Sequence, residues 1–587
     1  DREKLLFAFR LHDDDGDGTI VPAELVRMLA VSLAEDDVMT APEVPERLSK
    51  ALFAKADVNG DGRISFEELE AVVAARPELL AQMTRSEARW IAPNEDLLAR
   101  LDEPKAARSL GHLVSNRRLE IAILGIWAIV NVALFVSQLL SHPTGHGAPG
   151  RVPRPTSEWS QLSRACTTCI NVDAALIVLP VLRRLLTWVR KTWLGHAVPV
   201  DEAIPFHRIV GHALFAFAVG HGVGQLGSYA SGPSIAAKLL TTRALTGVSW
   251  LVVFAIMWLF SLAVIRRTRH FELFYFTHLL YVAWFAIAIF HAPSVLLSAA
   301  LPLFGLAVEQ ALRWKKRAPK TPIVASQALR SGVTRLELQK PEGFTYGAGD
   351  YVFLRIPAIA RHEWHPFTLS SAPEAPTLTV HVRSLGNWTA ALRRRVEQDA
   401  SQAAEPMVAY VDGPYGSPSA HVFTSHYPVL IGAGIGVTPF ASILESLVLR
   451  AASGPPPAFR KAHFFWLNRD QYSFEWFAAL LSELEKKDHE GLLDLHICMT
   501  GGHAGGTALG LQLARELDHA AGERDLVTGL RTMTHMGQPD WEAALGEIAR
   551  EHAPDRVDVF FCGPPGLGRK LRPICARLGM GFREERF

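Results

Sequence analysis

Cysteine is scarce in this chain. Of its 587 residues only five are cysteines, scattered at 166, 169, 498, 562 and 575. This excludes a small disulfide scaffold, and the lone Cys166-x-x-Cys169 lacks the second pair of a zinc site. Net charge is scarce too: 60 basic and 59 acidic residues leave +1. With no long basic stripe, a nucleic-acid partner is not expected. At this length we expect three or four domains.

Long apolar runs fill the middle third of the chain. Six are long enough to cross a bilayer, at roughly 119–140, 168–190, 205–229, 246–265, 271–292 and 294–312. When these six spans are threaded through a membrane, the basic clusters that flank them all fall on one side. That side is cytosolic by the positive-inside rule. We therefore predict an integral membrane protein, surrounded by lipid, with both termini in the cytosol.

Four histidines lie within these apolar spans: His207 and His221 in the third, and His278 and His291 in the fifth. An imidazole in hydrocarbon needs a partner, and axial ligation of two b-type haems supplies one. The charge topology places His207 and His278 toward the inner side and the other two toward the outer side. It therefore predicts the pairs His207–His278 and His221–His291. The alternative is that all four are polar residues satisfied inside a helix bundle.

The two histidine spacings differ. His207 and His221 are 14 residues apart, about 21 Å along a helix and within about 40° of one face. His278 and His291 are 13 residues apart, which on a regular helix turns their rings about 140° away from each other. We therefore predict a helix irregularity between His278 and His291.

Two calcium-binding loops are predicted near the amino terminus. Residues 13–24 and 57–68 match the twelve-residue EF-hand loop at its constrained positions. Thr19 and Arg63 are expected to bind through their backbone carbonyls. The expected calcium ligands are Asp13, Asp15, Asp17, Thr19 and Glu24, then Asp57, Asn59, Asp61, Arg63 and Glu68. The pair predicts a sensor with an apolar groove for the stretch 74–92 or a cytosolic segment. The alternatives are a calcium buffer or acidic surface loops.

Beyond Pro319 the pattern changes to short β-rich runs and then to alternating strands and helices. The segment 365–371 (HPFTLSS) offers aromatic and hydroxyl groups to a flavin, and Arg383 offers a guanidinium to a pyrophosphate. A glycine-rich turn at 432–440 follows an apolar strand and leads into a helix, which suits a phosphate. Cys562, in FFCGPPG, would lie near a nicotinamide; a buried inert cysteine is the alternative.

These motifs (HPFTLSS, HVRSLGNWT, DGPYG, GAGIGVTPF, WLNRDQYSFEWF, GLRTMTH and CGPPG) resemble those of the NADPH oxidase family. The contexts FHR, THLLY and IFHAP resemble that family's haem-ligand sequences, and the EF-hands resemble its calcium-regulated members. The resemblance covers essentially the whole chain. It implies a multidomain fold with an all-α EF-hand pair, a six-helix transmembrane bundle holding two haems, a FAD-binding β-barrel and an α/β NADPH-binding domain of ferredoxin-reductase type. We expect these domains at 1–105, 106–318, 319–425 and 426–587.

The resemblance also implies roles for single residues. The expected FAD contacts are His365, Pro366, Phe367, Thr368 and Arg383. The expected nucleotide contacts are Gly434, Gly436, Thr438, Pro439, Arg469, Cys562, Gly563 and Pro564, with Arg469 reaching the 2′-phosphate of NADPH. Phe587 matches an aromatic residue that covers the flavin. Arg164 matches an arginine near the outer haem; an arginine reaching lipid headgroups is the alternative.

Two positions depart from the family pattern. Gln225 stands where a second outer histidine is common, so it can donate a hydrogen bond to oxygen but cannot supply a proton. Gln538 stands where the family has an arginine, which leaves NADH as an alternative donor.

The resemblance implies a Ca²⁺-activated, superoxide-generating NADPH oxidase of the ferric-reductase-like superfamily. Electrons would pass from cytosolic NADPH through FAD, an inner haem and an outer haem to extracytosolic O₂. Calcium would act by docking the EF-hands against the dehydrogenase domains. The alternatives are a ferric or other metal reductase and, in a different class, a calcium-binding membrane scaffold with vestigial redox domains.

Overall fold

The structure is a computed structural model. It describes residues 2–74 (apart from 3, 4, 7, 8, 11, 12, 14, 36 and 37), 118–141, 157–190, 192, 194–231, 235–266, 271–316, 319–401, 407–451, 460–488, 491–501 and 515–585 (apart from 517, 520, 521 and 523). Phe587, the predicted boundary at 105–106 and the stretch 75–92 lie outside these residues.

The amino-terminal unit consists of helices joined by two acidic loops. Its helices are α1 (Pro22–Glu35), α2 (Val44–Ala56) and α3 (Phe66–Ala74). Strands β1 (Thr19–Ile20) and β2 (Ile64–Ser65) pair antiparallel and join the two loops. Gly18 and Gly62 have φ of 84° and 76°, a conformation that glycine adopts without a Cβ clash. Both predicted calcium loops thus have the turn that an EF-hand requires.

Among the residues that the structure describes, six helical segments are apolar and long enough to cross a membrane: Leu119–Leu140, Glu158–Val181, Val200–Ala230, Thr242–Ser261, Glu272–His291 and Pro293–Leu312. The helices of this region are α4 (Arg118–Leu140), α5 (Glu158–Leu176), α6 (Arg183–Arg190), α7 (Leu194–Ala197), α8 (Ala203–Ala230), α9 (Ile235–Leu239), α10 (Thr242–Ser261), α11 (Ala263–Arg266), α12 (Phe271–His278), α13 (Tyr281–His291) and α14 (Pro293–Lys316). The number of spans agrees with the sequence prediction.

The second span begins ten residues earlier than predicted, at Glu158 instead of 168, and it ends at Val181. It is the most buried of the six, so its polar side chains bond to neighbouring helices instead of facing lipid. Asp173, for example, accepts hydrogen bonds from Trp127 Nε1 at 2.9 Å and Asn131 Nδ2 at 3.2 Å. Hydropathy alone placed the start of the span too late because polar residues before 168, such as Ser163 and Thr167, were scored as non-membrane sequence, although both contact His221 on α8.

The fifth span is interrupted directly after His278. Helix α12 ends there and α13 begins at Tyr281. Across the break, Leu280 N bonds to Thr277 O and Val282 N bonds to Leu279 O, both at 3.2 Å. These contacts join residues three apart, which is the tighter 3₁₀ pattern. The irregularity predicted between His278 and His291 is therefore confirmed.

The next unit is a six-stranded antiparallel sheet in the order β6-β5-β8-β3-β4-β7. Its strands are β3 (Lys320–Ala328), β4 (Val333–Gln339), β5 (Tyr351–Arg355), β6 (His365–Thr368), β7 (Thr377–Arg383) and β8 (Val408–Tyr415). A bridge between Leu369 and Val380 connects its two edges. Helix α15 (Asn387–Ser401) contributes Leu392 and Val396 to the buried core. The predicted β-rich FAD-domain architecture is present.

The last unit is a six-stranded parallel sheet in the order β12-β11-β10-β9-β13-β14. Its strands are β9 (Tyr427–Ala433), β10 (Ala462–Asn468), β11 (Leu493–Met499), β12 (Thr534–Met536), β13 (Val557–Cys562) and β14 (Gly581–Glu585). Its helices are α16 (Thr438–Ala451), α17 (Glu475–Lys487), α18 (Trp541–Glu551) and α19 (Pro565–Arg577). Every residue of β10 is buried, as in a sheet covered on both faces. In such sheets ligands bind at the carboxyl ends of the strands.

Candidate redox and calcium sites

The inner histidine pair is formed by α8 and the end of α12. The ring centres of His207 and His278 lie 6.1 Å apart. His207 Nδ1 donates to the carbonyl of Ile177 at 2.8 Å, which leaves a lone pair on its Nε2. His278 Nδ1 is buried and has no hydrogen-bond partner within the described part of the chain. The two rings therefore face each other as the charge topology predicted.

The outer pair joins α8 to the end of α13. The ring centres of His221 and His291 lie 6.3 Å apart. Backbone carbonyls, which only accept, lie near both Nδ1 atoms: Ser163 O is 3.2 Å from His221 and Arg243 O is 3.1 Å from His291. Both rings thus donate through Nδ1 and keep a lone pair on Nε2. A hydrogen bond of this kind fixes the tautomer of a metal-binding histidine.

Both pairs fit a metal placed between two imidazoles. Metal–imidazole bonds of about 2 Å on each side, added to the distance from each nitrogen to its ring centre, give a separation of about 6 Å. Gly247 supplies further room, because a Cβ there would lie 2.6 Å from Cε1 of His291. The histidines therefore fit two haems, one of which would be bound by each pair.

A polar network surrounds His221. Gln225 Nε2 donates to Ser163 Oγ at 2.8 Å, and Ser163 Oγ and Thr167 Oγ1 both lie 2.9 Å from His221 Nδ1. The amide of Gln225 is therefore engaged with the residues that orient the outer histidine. Arg164, the next residue on α5, is exposed. The sequence prediction missed Ser163 and Thr167; their spacing of four on one helix face was the available signal.

The residues predicted for flavin binding meet on β6 and β7. The ring centre of His365 lies 4.4 Å from that of Trp388, and Phe367 stacks on the same indole at 5.7 Å. Pro366 is exposed, and Thr368 is buried with an Oγ1 that lacks a hydrogen-bond partner in the described residues. An unpaired buried hydroxyl beside aromatic rings fits a flavin, which offers both ring faces and polar edges.

Arg383 connects the flavin residues to the glycine-rich turn. It lies at the end of β7, and its Nη1 is 3.3 Å from where a Cβ of Gly434 would stand. Gly434 has φ of 59°, in the left-handed region that favours glycine. The guanidinium therefore lies where the two sheets adjoin, and it can reach a phosphate at either one.

The turns after β9 and β13 touch each other. A Cβ at Gly436 would lie 2.3 Å from the carbonyl oxygen of Cys562, and a Cβ at Gly563 would lie 2.8 Å from Cβ of Ala433. Both positions thus require glycine for close backbone packing. Thr438 and Pro439 are buried at the start of α16, and Pro564 caps α19. These predicted nucleotide residues lie together at the carboxyl ends of the strands.

The remaining nucleotide candidates differ in exposure. Cys562 is fully buried; burial, with Glu585 and Glu584 nearby, raises the pKa of its thiol well above the ordinary value. It therefore stays protonated near neutral pH. Arg469 follows β10 and is exposed, as is Arg531. Both guanidinium groups are thus accessible to a phosphate in solution.

The two acidic loops are folded around their carboxylates. Asp13 accepts from Asp17 N at 3.1 Å and Gly18 N at 2.8 Å, and Asp57 accepts from Gly62 N at 2.9 Å. Ligand oxygens of Asp13, Asp15 and Asp17 lie within 4.8 Å of one another. The remaining candidates Thr19, Glu24, Asn59, Asp61, Arg63 and Glu68 lie on the same two loops. Clusters of oxygen ligands on such loops fit Ca²⁺.

The loops also contact each other through side chains. Arg63 Nη1 donates to Asp17 Oδ2 at 2.6 Å and to Thr19 Oγ1 at 3.1 Å. Arg63, whose backbone carbonyl is an expected ligand in the second loop, thus directs its guanidinium at Asp17 and Thr19, which are expected ligands in the first loop. This pairing lowers the pKa of Asp17, after the larger contribution from hydrogen bonds with Thr19.

The fold and these sites define a class of protein: a membrane-embedded bundle with two facing histidine pairs, attached to reductase-type flavin and nucleotide domains and to an EF-hand pair. The family comparisons agree. Residues 2–74 match the EF-hand domain pair, 172–289 the ferric reductase like transmembrane component, 319–419 the FAD-binding domain and 426–576 the ferric reductase NAD binding domain.

Curated relatives identify the family. NADPH oxidase 5 of Homo sapiens is 34% identical over 97% of this chain and 82% of its own length. A superoxide-generating NADPH oxidase heavy chain of Dictyostelium discoideum is 33% identical over 70% of this chain and 85% of its own length. Dual oxidase 2 of Sus scrofa is 31% identical over 79% of this chain and 32% of its own. The chain belongs to the NADPH oxidase family.

Proposed function

We propose that this chain is a calcium-activated transmembrane NADPH oxidase that reduces O₂ to superoxide. The observation that carries the proposal is the pairing of four membrane histidines at two levels, next to a flavin and nucleotide module. The domains are those predicted at 1–105, 106–318, 319–425 and 426–587, and each family match lies within one of them.

The nucleotide binds at the carboxyl ends of β9 and β13, where the turns after these two strands meet. Gly434 and Gly436 let the backbone approach the phosphates, and the start of α16 at Thr438 and Pro439 favours their charge. Arg469 binds the 2′-phosphate, which favours NADPH over NADH. Cys562, Gly563 and Pro564 lie beside the nicotinamide, where the neutral thiol packs without repelling it. Phe587, which lies outside the described residues, stays the aromatic residue predicted to cover the flavin.

The residues of β6 and Arg383 would hold the flavin. His365, Pro366, Phe367 and Thr368 would contact its ring and ribityl chain, and Arg383 would bind its pyrophosphate. When bound, FAD supplies hydride acceptance from NADPH and the haems supply one-electron transfer to O₂. The chain's own contribution would be to hold these groups: the pairs His207–His278 and His221–His291 would each bind one haem.

The membrane orientation follows from charge. Both termini, the flavin module and the inner pair His207–His278 lie on the cytosolic side, and the outer pair lies on the other. Arg164, exposed on α5, attracts the developing negative charge of superoxide. Gln225 acts as a positioning residue, since it holds Ser163 against the outer ligand His221.

Calcium acts through contact between the EF-hand unit and the nucleotide domain. Arg47 on α2 donates from Nε and Nη2 to both carboxylate oxygens of Asp518, at 3.1 and 3.0 Å. The backbone N–H of Met39 donates to Gln471 at 2.7 Å. Calcium reorganises the EF-hand unit that carries these contacts and so favours hydride transfer.

A ferric reductase is the second candidate. The observation that favours it is Gln225, which stands where a second outer histidine is common in the family. Its amide donates to Ser163 and is therefore engaged within the protein. The EF-hand loops are compatible with both activities, so the identity of the electron acceptor, O₂ or Fe(III), distinguishes an oxidase from a ferric reductase.

The test uses the purified chain with FAD, haem, NADPH and buffered Ca²⁺. We expect cytochrome c reduction that superoxide dismutase inhibits and that calcium stimulates. The matched control is the double variant Asp13→Asn and Asp57→Asn, which should keep its haem and flavin spectra but lose the calcium response. Dismutase-insensitive activity with rapid Fe(III) reduction would show the reductase instead. A reduced-minus-oxidised spectrum without b-type bands would indicate a vestigial scaffold.

A further inference from the structure

Three side chains converge at the amino-terminal edge of the nucleotide-domain sheet, opposite the carboxyl ends of the strands. His463 is the second residue of β10 and is paired in register with Asp494 on β11. His496 is two residues beyond Asp494, so both side chains lie on one face of the sheet. One donor atom from each of the three lies within 4.8 Å of the others.

The separations are those of ligands around one metal ion. His463 Nδ1 lies 3.2 Å from Asp494 Oδ2, and His496 Nε2 lies 3.5 Å from the same oxygen. Metal bonds of about 2.0–2.2 Å in tetrahedral geometry place neighbouring ligand atoms about 3.3–3.5 Å apart. Two imidazoles and a carboxylate, with a fourth position toward solvent, form a recurrent ligand set for zinc-like ions.

Both imidazoles lie within ion-pair distance of the Asp494 carboxylate, although neither nitrogen forms a well-aligned hydrogen bond with it. His463 is 1% exposed, yet its Nδ1 makes no hydrogen bond within the described part of the chain. His496 Nε2 is likewise buried and without a hydrogen-bond partner there. The three donor atoms thus lie close together without a well-aligned hydrogen bond between them, and three ligands around one ion have such an arrangement. An unpaired buried nitrogen otherwise costs free energy.

The tautomer of His463 is set from its other side. Its Nε2 lies 2.8 Å from Nε2 of His552, so one proton is shared between them. When His463 donates this proton, its Nδ1 keeps a lone pair toward the cluster. Ring stacking holds the geometry: Tyr427 lies 4.0 Å from His552, and Phe465 lies 4.1 Å from His496.

The nearest cation does not fill the site. Lys461 Nζ lies 2.8 Å from Glu551 Oε1 and 3.9 Å from Asp494 Oδ2, so its shorter contact is with Glu551. A divalent ion therefore competes only with the longer contact. The nitrogen ligands disfavour Ca²⁺ and Mg²⁺, which prefer oxygen.

We propose that His463, Asp494 and His496 bind a divalent transition-metal ion of the zinc class, with His552 as the residue that orients His463. The ion links β10 to β11 and, through His552, reaches the end of α18. The ion lies at the amino-terminal edge of the sheet, opposite the carboxyl ends of the strands where the nucleotide binds. Its role is therefore structural: it stabilises the nucleotide domain and leaves the KM for NADPH unchanged.

The binding test uses the full chain with FAD and haem, in detergent and in excess Ca²⁺ so that the EF-hand loops are filled. Co²⁺ is titrated and followed by its visible absorption, and Zn²⁺ is then added. We expect one Co²⁺ per chain with the strong bands of a four-coordinate site, displaced by one equivalent of Zn²⁺. His496→Gln and Asp494→Asn, both at partly exposed positions, should weaken binding by more than about 100-fold, and His552→Ala by about 10–100-fold.

The matched control is His426→Gln. His426 is an exposed histidine at the same edge of the sheet, outside the cluster, so this variant should bind like the unsubstituted chain. Unchanged FAD content shows that each variant is folded. Equal Co²⁺ affinity in the His496, Asp494 and control variants, or no binding to the unsubstituted chain, overturns the proposal.

X-ray absorption at the zinc edge of the unsubstituted chain gives a readout that needs no variant. We expect two imidazoles and oxygen ligands. A thiolate ligand or an all-oxygen shell would place the ion elsewhere and overturn the proposal.

Discussion

The ring centre of His221 lies 6.3 Å from that of His291, although 13 residues separate His291 from the inner histidine of its own span. A regular helix would direct the two histidines of that span to different faces. The break after His278 removes this conflict, because α13 starts with a new rotation about its axis. The third and fifth spans can thus each place one histidine in the inner pair and one in the outer pair.

We predict that His221→Ala loses one of the two haems and the production of superoxide, because His291 alone provides a single axial ligand. Pyridine haemochrome analysis and dismutase-sensitive cytochrome c reduction measure the two losses. NADPH-driven reduction of the flavin should persist. The control is His212→Ala on the same helix, an exposed residue bonded to Trp258 Nε1 at 2.9 Å, which should keep both haems. Retention of both haems in His221→Ala contradicts the ligand assignment.

We predict that Arg47→Ala raises the calcium concentration needed for half-maximal activity about fivefold. The two hydrogen bonds to Asp518 join charged groups, but the arginine is 41% exposed, so solvent reduces their contribution to about 1 kcal/mol. Lys50→Ala, an exposed cation on the same helix, serves as the control. Identical calcium curves for the two variants would exclude this contact from regulation.

We predict that Arg63→Ala binds calcium more tightly at the first loop. The guanidinium of Arg63 neutralises Asp17, an expected ligand, and must be displaced or tolerated when the ion enters. The expected gain is a few-fold, since surface ion pairs contribute little. Isothermal titration calorimetry measures it, with Arg27→Ala on α1 as the charge-matched control. Weaker binding in Arg63→Ala would show that the arginine organises the loop instead.

We predict that Glu585→Gln stabilises the folded chain at pH 8 but not near pH 4.5. Glu585 is buried, which raises its pKa from 4.5 to about 7, and Ser419 Oγ donates to one of its oxygens. Between pH 4.5 and about 7 the carboxyl of Glu585 is ionised in the unfolded chain and protonated in the folded chain. The free energy of unfolding therefore falls by about 3 kcal/mol as the pH rises through this range. The thermal midpoint of the variant relative to the unsubstituted chain, at both pH values, is the measurement. A difference independent of pH would refute the assignment.

Residues whose role depends on local sequence were predicted well. The EF-hand loops were identified because ligand spacing, glycine and the final glutamate all lie within twelve residues. The glycine-rich turn after β9 was found for the same reason. The start of the second membrane span was predicted too late, because Ser163 and Thr167 are polar by composition and become acceptable only when a neighbouring helix satisfies them.

The sequence by itself determined the number of spans, the candidate haem ligands and the calcium loops, since these follow from periodicity and spacing along a single segment. Only the tertiary structure decided which distant atoms meet: Arg47 with Asp518, Gln225 with Ser163, and His463 with His552. The physical reason is that such contacts depend on how strands and helices pack, and a pattern within one element carries no information about its partner. The spacing of His278 and His291 showed that a regular helix would direct their rings to different faces. Only the structure showed the break after His278 that allows both rings to face the third span.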